Sequence, residues 1–124
     1  MKSKKVKPKC ILIVDDDHDL LFVLQSQLKR EGYTVFINSG TDDVLEQLSL
    51  RKFDIVLLDL AMNMINGSEL CRQIKKRSSL SQTKVLIMSG NHNIEETTRE
   101  CGADGFVAKP LSFEEIKTVL QKYG

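Results

Sequence analysis

The sequence predicts a domain of the α/β class, in which a parallel sheet carries helices on both faces. Two observations lead to this prediction. Short aliphatic runs alternate along the chain with stretches whose apolar residues recur at helical spacing, and the most apolar runs lack an alternation of apolar and polar residues. Strands without that alternation are buried on both faces, and strands that alternate with helices form parallel sheets through right-handed crossovers. A length of 124 residues suits one such domain.

Five strands are predicted, at residues 10–14, 33–37, 55–58, 85–88 and 106–108. Short aliphatic runs bounded by polar residues are typical of buried strands. The third run, Ile-Val-Leu-Leu, is central to our interpretation because it ends in the carboxylate Asp59. A charge at the end of a buried strand is costly unless a partner or ligand uses it. Residues 78–83, before the fourth strand, are polar and are predicted to be a loop.

A helix is predicted after each strand. Apolar residues at helical spacing are Leu20, Leu21, Leu24 and Leu28 in the first helix, Val44, Leu45 and Leu48 in the second, Leu70, Cys71 and Ile74 in the third, and Ile116, Val119 and Leu120 in the last. The fourth helix, at residues 93–100, has few apolar positions, chiefly Ile94 and the adjoining Cys101. Ser112 and Glu115 form a capping box that begins the last helix.

The charge is unevenly distributed along the chain. The net charge is +1, but five lysines lie within the first nine residues, and the rest of the chain has more carboxylates than cations. We expect residues 1–9 to form a flexible basic tail and residues 10–124 to form the domain. No apolar run could span a bilayer, no segment resembles a signal peptide, and the three cysteines lack the spacing of a zinc or redox site. We therefore expect a cytoplasmic protein without membrane contact.

Functional groups follow four of the five predicted strands. Asp15 and Asp16 come after the first strand, Asp59 after the third, Ser89 after the fourth and Lys109 after the fifth. The carboxyl ends of parallel strands meet at one edge of the sheet, where α/β proteins bind ligands. We therefore expect these five side chains to lie close together.

This set of residue types predicts a metal and a phosphoryl group. Three carboxylates at close range repel one another and require a cation. Oxygen ligands without histidine or cysteine favour a hard divalent ion such as Mg²⁺, which prefers one or two carboxylates together with water and phosphate. Lys109 would be superfluous beside a metal unless an anion also binds. An aspartate can itself be the nucleophile and form an aspartyl-phosphate, whose oxygens the metal and the lysine would neutralise.

Four segments of the sequence resemble the receiver domain of two-component response regulators. They are Ile-Leu-Ile-Val-Asp-Asp-Asp, Asp-Ile-Val-Leu-Leu-Asp-Leu, Val-Leu-Ile-Met-Ser-Gly and Gly-Ala-Asp-Gly-Phe-Val-Ala-Lys-Pro, and the resemblance covers residues 11–123. It implies a flavodoxin-like (βα)5 three-layer sandwich with a parallel five-stranded sheet in the order 2-1-3-4-5. It also implies a signalling phosphoacceptor that catalyses only its own phosphorylation and dephosphorylation.

The resemblance implies roles for the acidic residues and for the partners. Asp59 resembles the phosphoacceptor, and Asp15 and Asp16 resemble the acidic pair that places Mg²⁺ beside it. Ala61 would offer its backbone carbonyl to the same metal. The phosphoryl donor would be a phosphohistidine on a sensor histidine kinase or a phosphotransfer protein. The signal would pass to a downstream protein target, or to an output domain of the same chain, without direct contact with nucleic acid.

Three further residues match the family pattern and one departs from it. Ser89 resembles the switch hydroxyl, Lys109 the phosphate-binding lysine, and Phe106 the aromatic switch residue. Receivers usually have proline four residues after the acceptor, where this sequence has Asn63. We expect that change to loosen the loop after the third strand and to alter the rates of phosphotransfer or dephosphorylation.

Two other functions are compatible with part of the same sequence pattern. A haloacid-dehalogenase-like phosphatase also has an aspartate nucleophile after a strand, but its motif ends in threonine or valine where this chain has Asp19. A module that keeps the fold without being phosphorylated is the other alternative. The two histidines, His18 and His92, have no partner at metal-ligand spacing and are expected at the surface. Asp17 and Asp19 are expected in the first turn of a helix, where carboxylates are favoured.

Overall fold

The computed structural model describes residues 9–40, 43–62 and 66–123, and within them five strands form one parallel sheet. The strands are β1 (Cys10–Val14), β2 (Thr34–Asn38), β3 (Ile55–Asp59), β4 (Lys84–Ser89) and β5 (Gly105–Ala108). Their order across the sheet is β2-β1-β3-β4-β5, and every neighbouring pair is parallel. The predicted strands and their order are therefore confirmed.

Five α-helices alternate with these strands in the described part of the chain: α1 (His18–Arg30), α2 (Val44–Ser49), α3 (Gly67–Lys76), α4 (Ile94–Cys101) and α5 (Phe113–Tyr123). The predicted loop at 78–83 is wrong in one respect, because Ser78–Leu80 forms a 3-10 turn and buries Leu80 in the core. The polar neighbours of Leu80 concealed this single apolar anchor. No helix in the described ranges is long and apolar enough to cross a membrane.

The strands separate two hydrophobic layers, because successive side chains of a strand point to opposite faces. In β1, Ile11 and Ile13 face the layer that α1 and α5 cover, whereas Leu12 and Val14 face the layer covered by α2, α3 and α4. All four of these side chains are fully buried. The arrangement is the three-layer sandwich that the sequence predicts.

Side-chain caps fix where four of the described helices begin, at the carboxyl edge of the sheet. Asp17, Asp43 and Asn66 each accept a hydrogen bond from the backbone N–H three residues ahead, at 3.1 Å. These caps satisfy donors that a helix start leaves unpaired. The helix-start role expected of Asp17 is confirmed, and so is the Ser112 cap, whose hydroxyl accepts from the Glu115 N–H at 3.3 Å.

Gly67, the first residue of α3, allows this helix to pack directly against the end of β3. A Cβ atom at this position would lie 2.7 Å from the carbonyl oxygen of Asp59 and 2.7 Å from the Cα of Leu60. Only glycine permits that approach without a shift of the backbone. The expectations for residues 1–8 of the basic tail and for Asn63 lie outside the described residues.

Candidate functional site

The register of the sheet brings the first and third strand ends together. Val14 pairs with Leu58, so Asp15 and Asp59 are neighbours at the carboxyl edge. One carboxylate oxygen each from Asp15, Asp16 and Asp59 lies within 4.8 Å of the others. Asp15 and Asp59 are buried and Asp16 is half-buried. The predicted acidic cluster is therefore present.

Lys109 follows β5, two strands away from β3, and its side chain reaches this cluster. Ser89 pairs with Ala108, and the Lys109 N–H then donates to the Ser89 carbonyl at 2.8 Å, which continues the pairing past the strand ends. The Lys109 Nζ donates to Asp15 Oδ2 at 3.0 Å and lies 3.4 Å from Asp59 Oδ1. One ammonium group thus bridges the two buried carboxylates.

The pKa shifts describe a site with surplus negative charge. Burial, followed by the charge of Asp15, raises the pKa of Asp59, although Lys109 and the Ala61 N–H oppose that rise. Burial lowers the pKa of Lys109, but its hydrogen bond and attraction to Asp15, and then to Asp59, outweigh burial and raise it overall. Lys109 is therefore held in its charged form, and even so it does not offset the unfavourable environment of the Asp59 carboxylate.

Donors in the described part of the chain contact three of the four carboxylate oxygens of Asp15 and Asp59. Asp15 uses both oxygens, since Oδ1 accepts from the Asp17 N–H at 2.9 Å and Oδ2 from Lys109. Asp59 Oδ1 accepts from the Ala61 N–H at 3.3 Å and also faces Lys109. Within the described part of the chain no hydrogen-bond donor contacts Asp59 Oδ2. Of the two Asp59 oxygens, Oδ2 is therefore the one more open to a ligand.

The chemistry of the donor set fits a divalent metal. Three carboxylates with one ammonium group leave an excess of negative charge, and two of those carboxylates are taken out of water. Their oxygens, with no nitrogen or sulfur ligand in the cluster, match the preference of Mg²⁺. A dication would relieve the repulsion that raises the pKa of Asp59.

Ser89, the last residue of β4, and Phe106, on β5, form no hydrogen bond to the cluster among the described residues. The buried Ser89 accepts a hydrogen bond at its Oγ from the Asn91 N–H at 3.1 Å. Phe106 is half-buried on β5, pairs with Ile87, and packs against the layer under α2, α3 and α4. The surface positions expected for His18 and His92 are confirmed.

Asn38 is a residue of this edge that the sequence reasoning missed. Its carbonyl accepts from the Asp15 N–H at 3.1 Å, and its side chain binds Gln47 Oε1 at 2.8 Å and the Gly40 N–H at 2.7 Å. It therefore ties the backbone of Asp15 to the start of the β2–α2 connection. The available signal was a polar residue directly after the apolar run at residues 35–37, and Asn38 is only 3% exposed.

This geometry defines a parallel α/β domain with an acidic cluster and a lysine at the carboxyl edge of its sheet, and comparison with known proteins gives the family. The family model for the response regulator receiver domain matches residues 11–121. The chain belongs to this family, as a receiver domain of the two-component response regulators. The predicted fold class is that of its structural neighbours.

Among curated relatives, the chain is 30% identical over 108 residues to the alkaline phosphatase synthesis transcriptional regulatory protein PhoP of Bacillus subtilis, a match that covers 87% of this chain and 45% of PhoP. It is 32% identical over 108 residues to the response regulator ArlR of Staphylococcus epidermidis, with 86% of this chain and 48% of ArlR covered. The chain therefore spans about half the length of these relatives.

Two solved structures illustrate the likeness in fold. The response regulator TrrA of Thermotoga maritima, in complex with Mg²⁺ and BeF, matches with a TM-score of 0.82 and 27% identity over 94% of this chain and 99% of TrrA. The chemotaxis protein CheY4 of Vibrio cholerae matches with a TM-score of 0.86 and 22% identity over 94% of this chain and 99% of CheY4.

Proposed function

We propose that this receiver domain accepts a phosphoryl group on Asp59 and that Asp15, Asp16, Asp59 and the Ala61 carbonyl hold Mg²⁺ for the transfer. The observation that carries the proposal is the position of Lys109, whose ammonium bridges the two buried carboxylates Asp15 and Asp59. A cation fixed at that point suits the oxygens of a phosphoryl group bonded to Asp59. The likeness to TrrA, which was solved with Mg²⁺ and BeF, supports the same assignment.

The transfer is a displacement at phosphorus. Asp59 Oδ2 attacks the phosphoryl group of a phosphohistidine, an O–P bond forms, the N–P bond breaks, and the imidazole leaves with the electron pair. Lys109 stays charged beside the phosphoryl oxygens, because its pKa is raised. When bound, the metal neutralises charge on these oxygens. Hydrolysis of the resulting acyl-phosphate would return the domain to its first state, so the chain acts only on itself.

The partner that supplies the phosphoryl group is a sensor histidine kinase or a phosphotransfer protein. The chain spans about half of the relatives PhoP and ArlR, so the receiver signals either to an output domain of a longer chain or to a separate protein target. Both routes need a surface that changes when Asp59 is phosphorylated.

The change of surface would run through Ser89 and Phe106 to α4. The Ser89 Oγ accepts from the Asn91 N–H, and its proton can be donated to an oxygen of the new phosphoryl group. Movement of Ser89 would open space for Phe106, which pairs with Ile87, two residues before Ser89 on the neighbouring strand. In the described residues α4 is anchored by Ile94, Thr98 and Cys101 and has no side-chain cap. Few anchors make a helix easy to shift.

Labelling with a small acyl-phosphate donor tests the acceptor. The wild-type chain should gain one phosphoryl group that is stable to acid and labile to base, and only with a divalent metal present. Asp59→Asn should abolish it. Asp43→Asn is a matched control at the same edge, because asparagine serves equally well as the N-cap of α2. Undiminished labelling of Asp59→Asn would refute the assignment.

The same samples separate the alternative functions. Steady release of phosphate from a free phosphomonoester would indicate a phosphatase. Absence of any label, from both a small donor and a histidine kinase, would indicate an interaction module that is not phosphorylated. Amide exchange with and without a phosphoryl mimic tests the switch. Changes confined to the loop after β3, with residues 89–108 unaffected, would exclude the proposed route.

A further inference from the structure

The edge of the sheet opposite Asp59 is basic. The helices run antiparallel to the strands, so their last turns lie at this edge, and the cations there are Lys29, Arg30, Lys75, Lys76, Arg99 and Lys122. The acidic first turns, with Asp19, Glu46, Glu69, Glu95, Glu96, Glu114 and Glu115, lie at the edge with Asp59. Such charges complement the helix dipoles. They also give the described part of the molecule an acidic and a basic end, and Lys9, directly before β1, adds its charge to the basic end.

A cleft of about 390 Å³ opens at this basic edge. One wall is the end of α2 and the segment that leads into β3, and the other is the 3-10 turn and the segment that leads into β4. Leu48 and Leu80 are buried and give the cleft an apolar floor, whereas Arg51, Lys52 and Ser79 are exposed and line its mouth. The cleft is therefore an apolar recess with a cationic rim.

The two cations of the rim form no ion pair with the described residues, although the Asp54 carboxylate, which accepts from the Cys10 N–H at 2.8 Å, lies in the same region. Among the described residues, no carboxylate lies within ion-pair distance of Arg51 or Lys52. The Arg51 guanidinium instead lies over the Phe36 ring, 4.2 Å from its centroid. Stacking on an aromatic ring holds the planar guanidinium in one orientation and leaves its N–H groups able to bind a carboxylate. Arg77 and Lys84 are exposed and flank the second wall in sequence, and they add to the positive potential.

We propose that this cleft, which we call the basal cleft (residues 48–53 and 79–83), docks an acidic polypeptide segment. One apolar side chain of the segment enters the recess, and carboxylates on either side of it bind Arg51 and Lys52. A flat array of phosphates, as on a duplex or a lipid surface, could use the cations but would leave the apolar recess empty. A peptide that combines acidic and apolar side chains uses both features, which is why a protein partner fits better.

The position of the basal cleft separates this interaction from phosphotransfer. Phe53, at the wall of the cleft, lies two residues before β3, and Asp59 is the last residue of β3, so the strand alone separates the two sites by about 13 Å. A segment bound in the cleft would not cover the Asp59 site, so both can be occupied together. The proposal therefore does not depend on whether Asp59 is the phosphoacceptor.

A fluorescent glutamate-rich peptide with one central phenylalanine tests the proposal by anisotropy. It should bind in a salt-dependent manner, and a peptide with serine in place of the phenylalanine should bind more weakly. The double substitution Arg51→Gln and Lys52→Gln should weaken binding by about tenfold or more, which corresponds to about 1.4 kcal/mol. Ser79→Trp, which fills the recess and keeps the charge, should remove the preference for phenylalanine. Lys29→Gln with Arg30→Gln is the matched control, because it removes the same charge at the end of α1.

Three results would overturn the proposal. The first is an absence of binding by the phenylalanine peptide at low salt. The second is an equal loss of affinity in the control double variant, which would show that only the overall charge of this edge matters. The third is tighter binding to duplex DNA or to phosphatidylserine vesicles that Ser79→Trp leaves unchanged. Thermal unfolding of each variant distinguishes a loss of the cleft from a loss of the fold.

Discussion

Two lysine–aspartate contacts, one at each edge of the sheet, use the same residue types to different effect. At the basic edge, Lys75 donates to Asp104 Oδ2 at 2.8 Å and to the Thr83 carbonyl at 3.2 Å. Asp104 Oδ2 also accepts from the Val85 N–H at 2.8 Å, and the Tyr123 hydroxyl donates to the Asp104 carbonyl at 2.7 Å. One cation meets one carboxylate, and the remaining bonds go to backbone. This contact joins α3, β4, the segment before β5 and α5.

At the acidic edge, by contrast, Lys109 meets more negative charge than it can balance. It lies between Asp15 and Asp59, and Asp16 adds a third carboxylate within 4.8 Å. The two buried carboxylates are only 1% and 4% exposed at their side chains. A balanced contact stabilises the fold, whereas an unbalanced one costs stability until a ligand completes it. The excess of buried charge is thus what distinguishes the candidate functional contact from the Lys75–Asp104 contact.

The largest expected difference between the two contacts is in the effect of removing the lysine from each. Lys109→Met should slow labelling by about a hundredfold or more, the size of effect seen when one electrostatic donor to developing charge is lost. Lys75→Met should leave the labelling rate unchanged and lower the free energy of unfolding by about 1–3 kcal/mol, because Asp104 would lose a donor in a half-buried site. Labelling kinetics and urea unfolding of both variants check this. Equal effects of the two variants on labelling would mean that Lys109 has no special role.

The next largest effect is expected on Mg²⁺ binding when Asp16, the third carboxylate of the cluster, is removed. Asp16→Ala should weaken Mg²⁺ binding by at least about tenfold, the lower range for loss of a group that supports a metal site. Its stability without metal should hold or rise, because one of three repelling charges is gone. A metal titration and a melting curve on the same variant test both parts. An unchanged affinity for Mg²⁺ would place the cation somewhere other than this cluster.

A smaller effect follows from the raised pKa of Asp59. A carboxyl group whose pKa is higher in the folded state than in the unfolded state costs stability when it is ionised in both. Asp59→Asn should therefore be more stable than the wild type at neutral pH with a chelator present. As the pH falls through the folded-state pKa, Asp59 takes up a proton and the difference should shrink. Urea unfolding across this pH range gives the comparison, and a difference that grows on acidification would contradict the sign.

Comparison of the two edges also shows which features the sequence can predict. Asp15, Asp16, Asp59 and Lys109 were predictable because each lies at the end of a strand or within two residues after it, and parallel strands necessarily bring their ends to one edge. The Lys75–Asp104 contact was not, because it joins a helix end to a loop 29 residues later and depends on how far α3 extends. The order of the strands came from family resemblance, since alternation alone allows several orders.

Local composition misled the interpretation at one place and concealed a role at another. Leu80 lies among polar residues, so its segment was predicted to be a loop, although a single buried leucine was enough to fix a 3-10 turn. The role of Gly67, close packing on the backbone of Asp59 and Leu60, depends on the path of α3 over β3. Contacts between elements distant in sequence leave no periodic signal.

The smallest expected effect is on phosphotransfer when the tail is removed. β1 begins at Cys10, and the Lys9 carbonyl already accepts a hydrogen bond from the Thr34 N–H at 2.9 Å, so a shortened chain should begin at Lys9. Its labelling rate and unfolding midpoint should match those of the full chain, because β1 joins the tail to the edge opposite Asp59. Its affinity for the acidic peptide should fall, since the chain loses four positive charges. A shortened chain that folds but is not labelled would show instead that the tail takes part in phosphotransfer.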